Sequence, residues 1–420
     1  MLFHLCLFAL AVVSVTAQPL YFPAANSDAS WARLSSAELG WCQDKLDSLV
    51  SFASRSDTRA LIILKDGKIA LEQYFGSFTK DSLWYWASAG KTVTAALVGI
   101  AQHQKQMDIS KSSATYLGRS WSSCTPQQED AITVRHHLTM TTGIGFDRGN
   151  DNCKTPECLR YRAVPGTIWD YHNACYLLLQ DMIEKATNRT FQQYYNQQLS
   201  QKLGMGGLWF NGILFSRPLA MARFGLMLLA GGVWNGDTII KDREYFNAMI
   251  NTSQQLNRSY GYLFWLNGKA SFMQPGIPQV FQNDLVPSAP KDMYAGMGKN
   301  DQRVYVVPSQ RMVVVRMGDP GDTSAPAISG YDDALWRYIN ALPCNTSVGE
   351  PTSQTTSVWP NPATTVVSFL GDSAVLYDVL GNEVMRSNTS PLDVSRLPSG
   401  TYQVVVTQET ARVGSPLIIR

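Results

Sequence analysis

Two strand pairs, far apart in the chain, set the constraint on the fold. Ala60-Leu61-Ile62-Ile63-Leu64 and Lys68-Ile69-Ala70-Leu71-Glu72-Gln73-Tyr74-Phe75 flank Asp66-Gly67, a pair suited to the positive φ angles of a tight hairpin turn. Far downstream, Arg303-Val304-Tyr305-Val306-Val307 and Arg311-Met312-Val313-Val314-Val315-Arg316 form a second pair, turned at Pro308-Ser309-Gln310. The patterns between them are helical, so the sheet is expected to be assembled from the two ends of the domain, with a helical body inserted. That is an α/β (α+β) architecture: an antiparallel sheet flanked by helices. A helix is expected over 36–54, striped by Leu39, Cys42, Leu46, Leu49 and Val50, and another over 331–342. Leading into one strand and leaving an antiparallel neighbour, the two helices would lie side by side. Cys42 then falls near Cys344; Cys153 and Cys158 can close a short loop, leaving Cys124 and Cys175.

The chain's two ends differ from this body. Residues 1–17 hold an apolar run ending in Val15-Thr16-Ala17, a small-residue cleavage pattern, and are expected to be a signal peptide. Its removal takes Cys6, one of seven cysteines, and leaves an even number in an exported protein, where disulfides persist. No later stretch is long and apolar enough for a transmembrane segment. A net charge of +2 without a basic stripe gives no sign of a nucleic-acid partner. Residues 346–357 (TSVGEPTSQTTS) are small, polar or Pro apart from one Val and read as a linker. The expected domains are therefore 18–345 and 358–420.

Within the first domain, Trp86-Ala87-Ser88-Ala89-Gly90-Lys91-Thr92 heads a run of good helix formers through Gln104, without Pro. Ser88 and Lys91 then share a helix face, and a Lys half removed from water can act as a base near neutral pH. The spacing alone is weak and equally describes a helix start with a solvated Lys. Ser77-Phe78-Thr79-Lys80 and Ser288-Ala289-Pro290-Lys291 repeat it, the first at a strand end, the second with a Pro that forbids an ordinary helical turn.

Further signals follow in order: Pro165-Gly166, then Tyr171-His172-Asn173 opening an apolar helix, Leu203-Gly204-Met205, Ala222-Arg223-Phe224-Gly225, and Gly231-Gly232. Together with Ser88-x-x-Lys91, they resemble the serine β-lactamase and penicillin-binding-protein-like hydrolases over about residues 36–342. The resemblance implies that Ser88 is the acylated nucleophile and Lys91 its activating partner, that Tyr171 relays a proton to the leaving group, and that Asn173 holds the substrate. It implies no metal or organic cofactor. A phenol near Lys is expected to titrate below its usual value. The second oxyanion donor is expected at Ala295 or Gly296, within Met293-Tyr294-Ala295-Gly296-Met297-Gly298. There the family carries Lys-Thr-Gly or His-Thr-Gly, and this chain offers Met293-Tyr294-Ala295 or Tyr294-Ala295-Gly296, neither with the cation, and Lys299 further on. The resemblance is to the class C β-lactamase, esterase and 6-aminohexanoate-dimer-hydrolase branch, and without a cation to grip a carboxylate it favours ester and amide substrates over β-lactams and D-Ala-D-Ala peptides. Tyr194-x-Asn196 and Tyr338-x-Asn340 lack the Pro-Gly lead-in and read as structural.

The missing Gly-x-Ser-x-Gly around Ser88 and the lack of any His after His172 argue against an α/β-hydrolase. His136 and His137 are adjacent and diverge, which argues against a metal pair. His172, between two expected site residues, can line the pocket or face away. Over 358–420, short strands such as Val375-Leu376-Tyr377, Leu392-Asp393-Val394 and Val404-Val405-Val406, with a further one at 378–382, suggest a small β-sandwich. Pro360-Asn361-Pro362-Ala363, Asp378-x-x-Gly381-Asn382 and Leu397-x-Ser399-Gly400-x-Tyr402 resemble the type IX secretion sorting domain, which implies the secretion machinery as partner. The expectation is a secreted or cell-surface serine hydrolase acting on a small-molecule or peptide-like ester or amide. The alternatives are β-lactam or D-Ala-D-Ala peptide as substrate, or a silent binding module.

Overall fold

The computed structural model describes residues 19–25, 28, 31–145, 150–322, 330–344, 358, 361–369, 371–378, 382–408 and 411–420. The leader expected over 1–17 and the linker over 346–357 lie outside them. The chain divides after Pro343 into two units.

The first unit runs through α1 (Gln43–Arg55), β1 (Thr58–Lys65), β2 (Lys68–Tyr74), α2 (Lys91–His103), α3 (Asn173–Thr187) and α4 (Pro218–Leu229). It continues through β3 (Trp265–Leu266), β4 (Phe272–Gln274), β5 (Ile277–Phe281), β6 (Tyr294–Gly298), β7 (Gln302–Val307), β8 (Met312–Gly318) and α5 (Gly330–Asn340). One antiparallel sheet has the order β3-β6-β7-β8-β1-β2, so the two distant strand pairs do meet, with Ile62 opposite Val315. The hairpin turn between β1 and β2 has Asp66 at φ 54° and Gly67 at φ 82°, the left-handed pair that tight hairpins demand.

Strands β6, β7 and β8 are buried along their whole length, which is why they read as continuous apolar runs instead of alternating ones. Helices cover both faces. Val304 packs against α4 at Gly225, while its neighbour Tyr305 meets Trp336 of α5 edge-on, ring centroids 5.6 Å apart. The helices α1 and α5 lie together as expected, with Phe52 stacked on Tyr338 at 4.6 Å. The first helix starts later than the apolar stripe suggests: 36–40 form a turn in which Gly40 adopts φ 63°, a backbone state that ends a helical run.

Cys153 and Cys158 are bonded, with Cα atoms 5.9 Å apart. Cys42 and Cys344 are also both in the disulfide-bonded state, and Cys42 N–H donates to the Leu342 carbonyl at 2.9 Å. The two cysteines left over, Cys124 and Cys175, are free thiols.

The second unit contains β9 (Val366–Val367), β10 (Ser373–Tyr377), β11 (Glu383–Ser387), β12 (Leu392–Asp393), β13 (Gly400–Gln408) and β14 (Ala411–Ile419). A four-stranded sheet, β11-β10-β13-β14, accompanies the pair β9-β12, around a core that includes Phe369, Leu376, Val394, Val404 and Leu417. The short strand read at Val404-Val405-Val406 is part of the longer β13; the strand expected at 378–382 falls largely outside the described residues.

Candidate active site

The turn that carries Ser88 is fixed from behind by Trp86. This fully buried indole donates from Nε1 to Ser216 Oγ at 2.7 Å, and its backbone N–H donates to the Leu214 carbonyl at 2.8 Å. Ala87 is then held at φ 47°, a left-handed state that disfavours a residue with a Cβ by about 1 kcal/mol. A single 3₁₀ turn, Ala87–Gly90, follows before α2 begins at Lys91, so the helix opens three residues later than Ser88. Because α2 is buried on every side from Lys91 through Ala101, its first residue enters the interior with its amine.

Lys91 Nζ donates to Ser88 Oγ and to Asn173 Oδ1, each at 2.9 Å. It also lies 4.4 Å from the centroid of the Tyr176 ring. Only 5% of Lys91 is exposed. Burial brings its pKa down to about 7, against a smaller opposing pull from the Asp151 carboxylate. The same spacing in 77–80 and 288–291 gives nothing comparable: Lys80 pairs with Asp81 and Lys291 with Asp284.

Tyr171 and Asn173 arrive from the start of α3. The Tyr171 phenol lies beside the Ser88 side chain, and its ring is stacked on Trp265 with centroids 6.1 Å apart. One expectation is overturned here. Burial among Trp169, Tyr260 and Trp265 pushes the Tyr171 pKa up, so the phenol keeps its proton at neutral pH. His172 turns inward, 1% exposed, and its ring accepts the Cys175 N–H at 3.4 Å as a helix cap.

Asp151 is a participant that the sequence reading missed. Its Oδ2 accepts from Asn173 Nδ2 at 2.7 Å and its carbonyl accepts the Ala174 N–H at 2.9 Å. Orienting the Asn173 amide leaves Oδ1 facing Lys91. The Cys153–Cys158 disulfide begins two residues further on. No local pattern marks Asp151; only its neighbourhood to two bonded cysteines sets it apart.

The end of β6, not its middle, lies against the nucleophile. A Cβ built on Gly298 would stand 3.0 Å from Ser88 N, 2.9 Å from Ala89 N and 2.5 Å from the Trp86 carbonyl, whereas one on Gly296 meets Ala89 O and Thr92. The donor position expected at Ala295 or Gly296 is therefore corrected. Ala295 faces Trp265 in the ladder with β3 and Gly296 faces Val304 of β7. Asn267 N–H donates to the Met293 carbonyl across the β3 edge at 2.9 Å. Backbone groups alternate between edges, so those of 295, 297 and 299 share that side. Strand β3 begins opposite Ala295, and Gly298 stays extended at φ −127°, so the N–H groups of Met297 and Lys299 project past its end. Tyr294, expected at the substrate, instead donates its hydroxyl to the Leu228 carbonyl at 2.9 Å inside the core. The Lys299 side chain is exposed. The repeat Gly296-x-Gly298 was the visible signal: two residues on one strand face without side chains, where Ser88 has to approach.

A cleft of about 450 Å³ opens beside Tyr171, walled by Ile168, Trp169, Leu256, Met273, Ile277 and Val280. Among the described residues, no group of His, Cys, Asp or Glu is arranged to hold a metal ion, and no helix is long and apolar enough to cross a membrane.

Residues 53–213 match the beta-lactamase family, and residues 357–420 match the secretion system C-terminal sorting domain. No curated protein matches the sequence. Among solved structures, the chain is similar to a putative 6-aminohexanoate-dimer hydrolase from Bacillus anthracis, with a TM-score of 0.57 and 17% identity over 78% of this chain and 89% of that one. A putative beta-lactamase from Bacteroides dorei gives a TM-score of 0.57 and 17% identity over 72% and 99%. A family VIII carboxylesterase gives 0.54 and 14% over 72% and 99%. At these identities the likeness is one of fold. The first unit has the β-lactamase, penicillin-binding-protein and esterase-like superfamily fold, and a separate sorting domain follows it, which supports a secreted or cell-surface location.

Proposed function

We propose that this chain is an exported serine hydrolase that cleaves an ester or amide bond through an acyl-enzyme on Ser88. One observation carries the reading: an amine with a pKa brought down to about 7 stands 2.9 Å from the Ser88 hydroxyl. A neutral Lys91 takes the hydroxyl proton as Ser88 Oγ bonds to the substrate carbonyl carbon. The negative charge that moves onto the carbonyl oxygen meets the Ser88 N–H and an N–H from the end of β6, Lys299 or Met297. When the bond to the leaving oxygen or nitrogen breaks, the Tyr171 phenol gives that atom its proton and recovers one from the Lys91 ammonium. Asn173, oriented by Asp151, holds the substrate's amide or carbonyl and Lys91 together. Water then repeats the sequence on the acyl carbon, giving up a proton to the same amine and releasing the acid.

The ester and amide branch is favoured over β-lactams. The face of β6 toward Ser88 carries Gly296 and Gly298, and so has no cation or hydroxyl with which to grip a carboxylate. The sorting domain is the part that would engage the secretion machinery. The test is to incubate the protein with a fluorophosphonate and, separately, with a labelled penicillin, and to locate adducts by mass spectrometry. Fluorophosphonate at Ser88 with no penicillin adduct is the expected result. Labelling by both moves the substrate to β-lactams or peptidoglycan peptides. Labelling by neither, with hydrolysis unchanged in Lys91→Ala, leaves a binding module.

A further inference from the structure

Of the groups given a part in acyl transfer, Tyr171 lines the cleft. Its lining includes Tyr171 but not Ser88, Lys91 or Gly298. One wall is the segment that leads into α3, with Ile168 and Trp169; the other is the β4–β5 hairpin, with Met273, Ile277 and Val280. The charged groups that line it, Arg162 and Asp170, are paired with each other at 2.5 Å, so the walls offer a substrate apolar surface and little unpaired charge. A volume of about 450 Å³ is within the range that holds a ring system or a chain of roughly ten carbons.

Resting on the reading above, in which Tyr171 protonates the departing atom, we propose that this cleft binds the leaving group. The substrate class is then an uncharged ester or amide of an apolar alcohol or amine. Tyr171, which hands over the proton, also lines the cleft, so a group lodged there lies beside Tyr171 when its bond to the acyl carbon breaks. The alcohol or amine leaves with the Tyr171 proton, and the acyl group stays on Ser88.

Two ester series separate this from an acyl pocket, using the full chain. Going from ethyl acetate to hexyl acetate should raise kcat/KM at least about tenfold, because four buried methylenes gain contact, while going from ethyl acetate to ethyl hexanoate should change it less than about threefold. Ile277→Trp, which fills the cleft, should shrink the hexyl-to-ethyl acetate ratio. Hexan-1-ol should inhibit ethyl acetate hydrolysis competitively, and hexanoate should not. A rise with acyl length in place of alcohol length overturns the assignment, as does a flat response in both series or a ratio unmoved by Ile277→Trp. If the assignment alone is wrong, the fluorophosphonate still labels Ser88 and ethyl acetate turnover is still lost in Ser88→Ala. If Ser88 carries neither adduct nor turnover, the hydrolase reading and this inference fall together.

Discussion

Lys91 Nζ lies 2.9 Å from Ser88 Oγ at a buried helix start, and burial lowers its pKa from 10.5 to about 7. The amine is a base only when neutral, so kcat/KM on a neutral ester should rise with pH through about 7 and level off above it. Lys91→Arg, which keeps the charge and cannot lose it, should reduce the rate by about 10²- to 10⁴-fold at every pH. A profile flat from acid to alkaline pH would remove the amine from the reaction. Stability follows the same group. Between about 7 and 10.5 the unfolded chain binds a proton that the folded one does not, so this contribution to stability rises with pH across that window and is lowest below 7.

Asp151 favours the charged form of Lys91 and holds the Asn173 amide. Asp151→Asn removes the charge while keeping a carbonyl that can accept from Asn173 Nδ2. The Lys91 pKa should then fall further, and the acidic limb of the rate profile should move to lower pH. Asp151→Ala also releases Asn173 and should lower kcat/KM at all pH values. An acidic limb that stays in place or moves up would show that the carboxylate does not act on the amine.

How much of this was legible depends on whether a residue's role is local. The β1–β2 hairpin was readable because Asp66-Gly67 announces its own turn, and the distant strand pair because Val and Met run unbroken where both faces are covered. That Ser88, Lys91, Tyr171 and Asn173 come together was readable through spacing and order. What spacing cannot give is register between strands. The donors were expected at Ala295 and Gly296, short of Gly298, the residue that stands against Ser88 N, because β3 begins opposite Ala295 and local sequence does not mark where a ladder ends. The titration of Tyr171 was missed for a similar reason: Tyr260 and Trp265, which bury it, lie some ninety residues later in the chain.

Gly298 gives the test of that register. Its φ of −127° suits any residue, so Gly298→Ala adds no backbone strain, only a methyl group 2.5 Å from the Trp86 carbonyl and 3.0 Å from Ser88 N. The end of β6 must back away from the nucleophile. If it supplies an oxyanion donor, kcat should fall by about 10²- to 10³-fold with a smaller change in KM. The change in packing should also lower stability by about 1–3 kcal/mol, which thermal unfolding measures separately. Wild-type kcat in a folded Gly298→Ala protein would place the second donor elsewhere.

The carbonyl of the same glycine is held from the sheet by Arg303, and this leads to a prediction about a residue outside the cleft. Fully buried on β7, Arg303 donates from Nη1 to Gly298 O at 2.6 Å, from Nε and Nη2 to the Asp332 carboxylate at 2.6 and 3.0 Å, and from Nη2 to Asp301 Oδ1 at 2.7 Å. Tyr305 completes the set by donating to Asp332. Replacing the arginine with Met leaves two carboxylates inside the protein without their cation, a loss of about 3–5 kcal/mol. For a domain of this size, that lowers the melting temperature by about 10 °C. Arg303→Lys keeps the charge but not the fork, so it should unfold at an intermediate temperature. Below that temperature it should still show a lower kcat with a nearly unchanged KM, because Gly298 loses its anchor while the cleft keeps its walls. Adding Asp332→Asn to Arg303→Met should recover part of the stability but none of the kcat. Recovery of both together would mean that the arginine serves only to neutralise Asp332 and has no part in setting the end of β6.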